Sequence, residues 1–427
     1  MTAYTPVPLG DAVPDRLRIT LWDFSWYVRT GHGDVFEDID RAMADAVQRG
    51  FNTIRICAMP FLLFRSGLDT AALRLGPLGR PGTEYAGYAQ GTRWYDVPGE
   101  SQIDGRTKLL ELFQAAKRHD VSVIVSSWEW QQSSAFLDGR EWFDALMAVP
   151  ADERAVALAD AHADLIEFLR EHDLDDRVAF VELHNEVQGG HLTEGLDGDL
   201  VVALHDRLSR GIARFHERLP DVPVTVNYAH VPVESMRGIP SDIDVLVVHP
   251  YIYGVLDEFV QEFGLRGDGG SFPQEHARQL LRSGAPDFAD WTVAPDDRWR
   301  LTATIVGKPE IYVHDWCDPE AVDRWLYERY GAWRHQMNTR LDEWIDVAAD
   351  HAVSRGVPLV LGEGYVGYTP LLCTFEEGPV GAEFSRRALR DAVRVGARGA
   401  VIGSNAAPQH PMWQDVELQR NLNALLT

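Results

Sequence analysis

The chain has 427 residues, 45% of them hydrophobic, and sets 65 acidic against 40 basic side chains for a formal charge of −25. That length is enough for two domains or for one barrel with insertions, and the lack of a basic surplus argues against nucleic acid and against an anionic membrane surface, because nothing is available to displace phosphate counterions. Three scattered cysteines, Cys57, Cys317 and Cys373, give neither a metal-type pairing nor an even disulfide set; with no signal-like start and no long apolar run, a soluble cytoplasmic protein is expected.

The first strand is predicted at 17–24, "LRITLWDF". One unit then recurs: an amphipathic helix, a Gly or polar stop, and a short apolar strand. In "FEDIDRAMADAVQRGFNTIRICA", Phe36, Ile39, Met43 and Val47 keep one helical face, Gly50 supplies a left-handed end, and 51–57 reads as a buried strand. The same unit predicts strands at 121–127, 178–185, 223–227, 244–249, 357–362 and 399–403. Only about fifteen residues separate the fifth and sixth strands, so the fifth helix is the weakest element. Apolar strands alternating with helices define an α/β chain with a parallel sheet, and eight units define a (β/α)8 TIM barrel.

The excess length predicts one elaborated barrel over 1–427 with insertions at 58–104, 128–152 and 254–335. Each follows the C-terminal end of a strand, the face on which barrel enzymes build their sites. These insertions carry Tyr85, Tyr88, Trp94, Tyr95, Trp128, Trp130, Trp291, Trp299, Trp316, Trp325 and Trp333. A few are expected to face a sugar, whose C–H faces stack on rings, and the rest to pack the insertions.

Polar residues at strand ends carry the chemistry. "VAFVELHNEV" places Glu182, His184, Asn185 and Glu186 after an apolar run; in a regular strand Glu182, His184 and Glu186 share one face, so Asn185 and Glu186 reach one pocket only if the strand breaks there. "VPLVLGEGY" ends the seventh strand on Glu363 between two glycines. Asp23 and Glu129 are further strand-end acids able to take sugar hydroxyls. The "HDWCD" run at 314–318 lacks a second ligand cluster and reads as structural, as does His162 on its helix face. No metal or cofactor is expected.

"GFNTIRICA", "FVELHNEV", "VVHPYIY" and "VPLVLGEGY", in this order, resemble the signatures of strands two, four, six and seven in the clan A glycoside hydrolases, the cellulase-like family 5 and its relatives. The resemblance implies a carbohydrate substrate, Glu186 as acid/base and Glu363 as nucleophile. It further implies that Asn185 holds the sugar 2-hydroxyl, that Arg55 and Tyr251 bond Glu363, and that His249 lines the same subsite. Cleavage needs one carboxyl protonated for the leaving group and one ionised for attack. Many relatives place a Trp at the end of strand eight, whereas this chain reads "GSNAAPQHPMW"; Ser404 and Asn405, or Trp413 folding back, are expected to take that place, with Trp128 a further wall. The expectation is a retaining hydrolase of β-linked oligosaccharides or small glycosides, exo-acting because the insertions close the groove. A non-catalytic carbohydrate-binding barrel and a transglycosidase are the alternatives. The sequence sets no oligomeric state.

Overall fold

Apolar runs flanked by Gly and polar stops form eight parallel strands in the computed structural model, which describes residues 4–79, 87–267 and 269–426. They are β1 (Leu17–Asp23), β2 (Thr53–Cys57), β3 (Ser122–Ser126), β4 (Val178–Glu182), β5 (two halves, Val224–Thr225 and Asn227–Tyr228), β6 (Leu246–Val248), β7 (Leu359–Leu361) and β8 (Gly399–Val401). Each pairs with its neighbour in chain order, and β8 returns to β1 with Leu17 opposite Gly399. The first half of β5 pairs with β4 and the second with β6, so the ring closes through a strand interrupted at Val226. Strands β2 and β3 are buried at every residue, as expected when helices cover the outside and side chains fill the inside.

The outer layer follows the sequence signals. Helix α1 (Ile39–Gln48) starts where the Asp38 carboxylate accepts from the Arg41 N–H, and it is followed by Gly50 at φ 91°, a conformation that favours glycine. Helix α2 (Gly105–Arg118) is capped in the same way by Asp104. Helices α3 (Arg154–Arg170) and α4 (His205–Arg218) pack on each other over β4 and β5. Between β5 and β6 a 3₁₀ turn, Val233–Gly238, stands where the fifth helix of a regular barrel would lie, because the connection is too short for more.

One boundary differs from the sequence reading. The segment 254–335 does not end before the seventh barrel helix but runs into it: α5 (Pro319–Arg355) is continuous for 37 residues, about 55 Å at the α-helical rise. Asp318 caps its start, and Gly356, left-handed at φ 70°, ends it. No proline or glycine cluster interrupts it, so the hydrophobic pattern gave no sign that loop and barrel helix are one rod. Helix α6 (Pro379–Arg394) completes the layer. In the first insertion a ribbon pairs Leu73–Leu75 with Ser101–Ile103. No described helix is long and apolar enough to cross a membrane.

Candidate active site

Arg55 of β2 points into the barrel and is fully buried. It donates through Nε and Nη2 to Glu182 at 2.6–3.1 Å, through Nη1 to Glu363 Oε1 at 2.7 Å, and through Nη2 to Asn185 Oδ1 at 2.8 Å. Burial opposes its charge, but Glu182 and Glu363 outweigh that and hold its pKa above the ordinary value. The ring of Trp128 lies 4.6 Å from the guanidinium carbon. One arginine thus ties the ends of β2, β4 and β7 together.

Strand β4 leaves its ladder after Glu182, and this break brings Asn185 and Glu186 to one side. Glu186 adopts φ 41°, its N–H donates to Asn227 Oδ1 at 2.6 Å, and the Asn185 N–H donates to the Ser127 carbonyl at 2.7 Å. Left-handed backbone at a non-glycine residue is strained and is held here by bonds to β3 and β5. The regular alternation fails accordingly: His184 turns away, accepting from the Trp130 N–H at 3.2 Å, and burial drives its pKa down to about 3. Glu182 faces Arg55 and Asn227 inside the barrel.

The two glutamates have opposite surroundings. Both oxygens of Glu363 accept bonds, from Arg55 and, at 2.9 Å, from the Tyr251 hydroxyl. Ser404 lies 2.7 Å from that hydroxyl and accepts from the Gly364 N–H at 2.9 Å, which leaves its own proton for Tyr251. Among the described residues, the Glu186 carboxylate meets Gln131 Nε2 at 3.2 Å and His249 Nδ1 at 3.0 Å. Burial raises its pKa, opposed by Gln131 and by the charges of Arg55 and His230. Burial also lowers the His249 pKa to about 4, so that ring is neutral near pH 7.

Among the described residues, Glu186, His249 and Glu363 form the one group able to offer three metal ligands, their atoms all within 4.8 Å of one another. A cation there would compete with Arg55, whose guanidinium already occupies the charged side of Glu363. The same figure describes the pair: one oxygen of Glu186 lies within 4.8 Å of one oxygen of Glu363, so the two carboxylates face each other across a short gap.

A cavity of about 580 Å³ opens over this pair and is lined by Asp23, Trp128, Asn185, Tyr251 and Asn405 as well as by both glutamates. Asp23, at φ 43°, accepts from the Ser25 N–H at 2.5 Å and from Gln409 Nε2 at 3.3 Å; burial pushes its pKa to about 7, and the charge of Glu363 adds to the rise. Two expected site residues lie elsewhere. Glu129 is buried off the cavity, where its carboxylate accepts from the Phe61 and Leu62 N–H groups, Ser127 and Trp142, fixing the short helix Pro60–Phe64 to the barrel. Trp413 stacks on Phe51 at 5.8 Å and carries the Arg49 guanidinium at 4.1 Å, packing beside the entry to β2 rather than folding back over the sugar.

Of the insertion aromatics, Trp94 and Trp128 reach this cavity, while Tyr88 stacks on Trp291 and Trp325 packs on Phe259. Tyr85 lies outside the described residues. Asp315 of the "HDWCD" run accepts from the Ala89 and Gly91 N–H groups, a structural role, and His162 packs with its Nε2 at 3.1 Å from the Leu183 carbonyl. A larger cavity, about 760 Å³, lies among these insertions and holds none of the strand-end acids just described. Sequence reasoning missed Gln131 and Asn227. The first follows "WEW" and the second ends β5 in "VTVNY", positions whose only signal is a polar amide at a strand end.

A parallel eight-stranded barrel with carboxylates at the ends of β4 and β7 is the architecture that the resemblance to the clan A glycoside hydrolases implies. This chain belongs to the cellulase-like family, whose model, described as sugar-binding cellulase-like, matches residues 19–427. Among solved structures it is similar to a candidate glycoside hydrolase from Parabacteroides distasonis, with 21% identity, a TM-score of 0.67 and 96% of this chain and 93% of that one covered. That likeness is one of fold. Others include an endo-1,4-beta-D-mannanase from Thermotoga petrophila (12%, TM-score 0.44, 91% and 87% covered) and an exo-beta-1,4-mannosidase from an Opitutaceae bacterium (15%, 0.45, 98% and 58%). No curated protein sequence matches the chain.

Proposed function

We propose that the protein is a retaining glycoside hydrolase that cleaves a β-linked oligosaccharide or small glycoside by double displacement, with Glu363 as nucleophile and Glu186 as acid/base. The observation that carries this reading is the contrast between the two carboxylates: Glu363 is fixed by Arg55 and Tyr251 as an acceptor, and Glu186, close by, is half-buried with a raised pKa. Attack by Glu363 on the anomeric carbon breaks the glycosidic bond while Glu186 gives its proton to the leaving oxygen. Once Glu363 is esterified its negative charge is gone, and Glu186, now ionised, takes a proton from the water that releases the sugar. Asn185, held by Arg55 and by Gln131 at 2.8 Å, is positioned for the 2-hydroxyl. Exo action fits a cavity walled by Trp94 and by residues 305–307 of the long insertion.

The test is Glu186→Ala on aryl β-glycosides. Dinitrophenyl leaving groups, which need no proton, are expected to keep activity and to give a glycosyl azide of retained configuration when azide is added, while unactivated glycosides lose several orders of magnitude. Equal loss on both kinds of substrate, with no azide product, contradicts the assignment.

A further inference from the structure

The cavity extends beyond the two catalytic glutamates along a wall that the mechanism above does not use. Tyr253 follows β6, Tyr368 follows β7, Trp94 comes from the first insertion, and Arg266 and Glu310 come from the long one. The rings are interlocked: Trp94 meets Tyr368 edge-on at 4.4 Å, and Tyr368 meets Tyr253 at 5.9 Å. Arg266 is exposed at the rim, with its guanidinium carbon 4.6 Å from the Tyr253 ring, which orients the donor fork. The Tyr368 phenol and the charge of Glu310 act on it from the same wall. Glu310 is buried in the same wall, and burial pushes its pKa to about 7, with Arg266 and the Tyr368 phenol opposing the rise.

We infer that this wall is a second sugar subsite on the leaving-group side, where Arg266 and Glu310 hold adjacent hydroxyls of a neutral sugar; the inference rests on the hydrolase reading above. A guanidinium only donates and a carboxylate mainly accepts, whereas each sugar hydroxyl does both, so the pair matches a vicinal diol. An anionic sugar is disfavoured because Asp23, Glu186, Glu310, Glu363 and Glu376 all line the cavity against the one rim cation. The side follows from the exo-acting reading above: with the terminal ring over the two glutamates, the next ring of a substrate cut from its end lies on the leaving-group side of the same cavity. The ring of Trp94 supplies a face for the sugar's C–H groups. The substrate is therefore at least a disaccharide.

The experiment compares β-1,4-linked glucose and mannose disaccharides with the nitrophenyl glycosides of the same sugars. In Arg266→Met and in the isosteric Glu310→Gln, the ratio of kcat/KM for the disaccharide to that for the nitrophenyl glycoside is expected to fall tenfold or more. Calorimetric binding of the disaccharide, measured on a Glu363→Gln background that stops turnover, is expected to weaken to the same extent. Unchanged ratios together with unchanged disaccharide binding overturn the subsite. If the wild-type protein hydrolyses neither substrate but both variants weaken disaccharide binding, the subsite stands and the hydrolase reading fails.

Discussion

Replacing Arg55 by methionine removes five hydrogen bonds at 2.6–3.1 Å while keeping most of the side-chain volume. Among the described residues it leaves Glu182, fully buried, with the Asn227 amide, and Glu363 with the Tyr251 hydroxyl and, farther off, His249 Nδ1 at 3.7 Å. Breaking a buried ion pair by removing one partner costs about 3–5 kcal/mol, and a loss of that size is expected at neutral pH. Because whole-protein stability is roughly 5–15 kcal/mol, the urea midpoint followed by tryptophan fluorescence should fall clearly. The sign with pH is fixed by the chemistry. An orphaned buried carboxylate that takes up a proton loses its uncompensated charge, so the gap between wild type and variant must shrink on acidification. A midpoint within about 1 kcal/mol of wild type, or a gap that widens on acidification, would refute the claim that Arg55 balances two buried charges.

The raised pKa of Glu186 predicts that kcat/KM for unactivated glycosides falls as pH rises through that value, and that this limb disappears for dinitrophenyl glycosides in Glu186→Ala. Gly362→Ala would bring a Cβ to 2.8 Å from both His249 Nε2 and Val247 Cγ1, so kcat should fall at least tenfold as the imidazole is pushed from Glu186; a crystal structure of the variant would reveal the displacement. Glu129→Ala should cost about 2–3 kcal/mol of stability through its unsatisfied buried donors while KM stays at the wild-type value. Its folded pKa is pushed up to about 7, so its contribution is full at acid pH and is lost as pH rises through about 7; the gap to wild type in urea melts should narrow at alkaline pH.

Much of the barrel was legible because each strand is a short apolar run and each helix carries its own stop. The break in β4 was also legible, since Asn185 and Glu186 could share a pocket only by abandoning alternation, and the structure achieves this with a left-handed Glu186. Glu129 misled because a strand-end acid looks the same whether it caps a helix or faces a ligand; the difference lies in Phe61 and Leu62, remote in sequence. Trp413 misled because the direction of the chain after β8 is set by packing on Arg49 and Phe51. The long rod α5 was hidden for a related reason: its buried residues from Val322 to Ala352 keep one helical spacing while they pack on the insertion at one end and on the barrel at the other, so nothing in the pattern marks where the insertion stops.

The most direct measurement is covalent trapping. Incubation with 2-deoxy-2-fluoro glycosides bearing a dinitrophenyl leaving group, followed by peptide mass mapping, should place one fluorosugar on the peptide containing Glu363 and none on that containing Glu186. Label on Glu186, or turnover of β-glycosides with inverted products and no label, would contradict the assignment of nucleophile and acid.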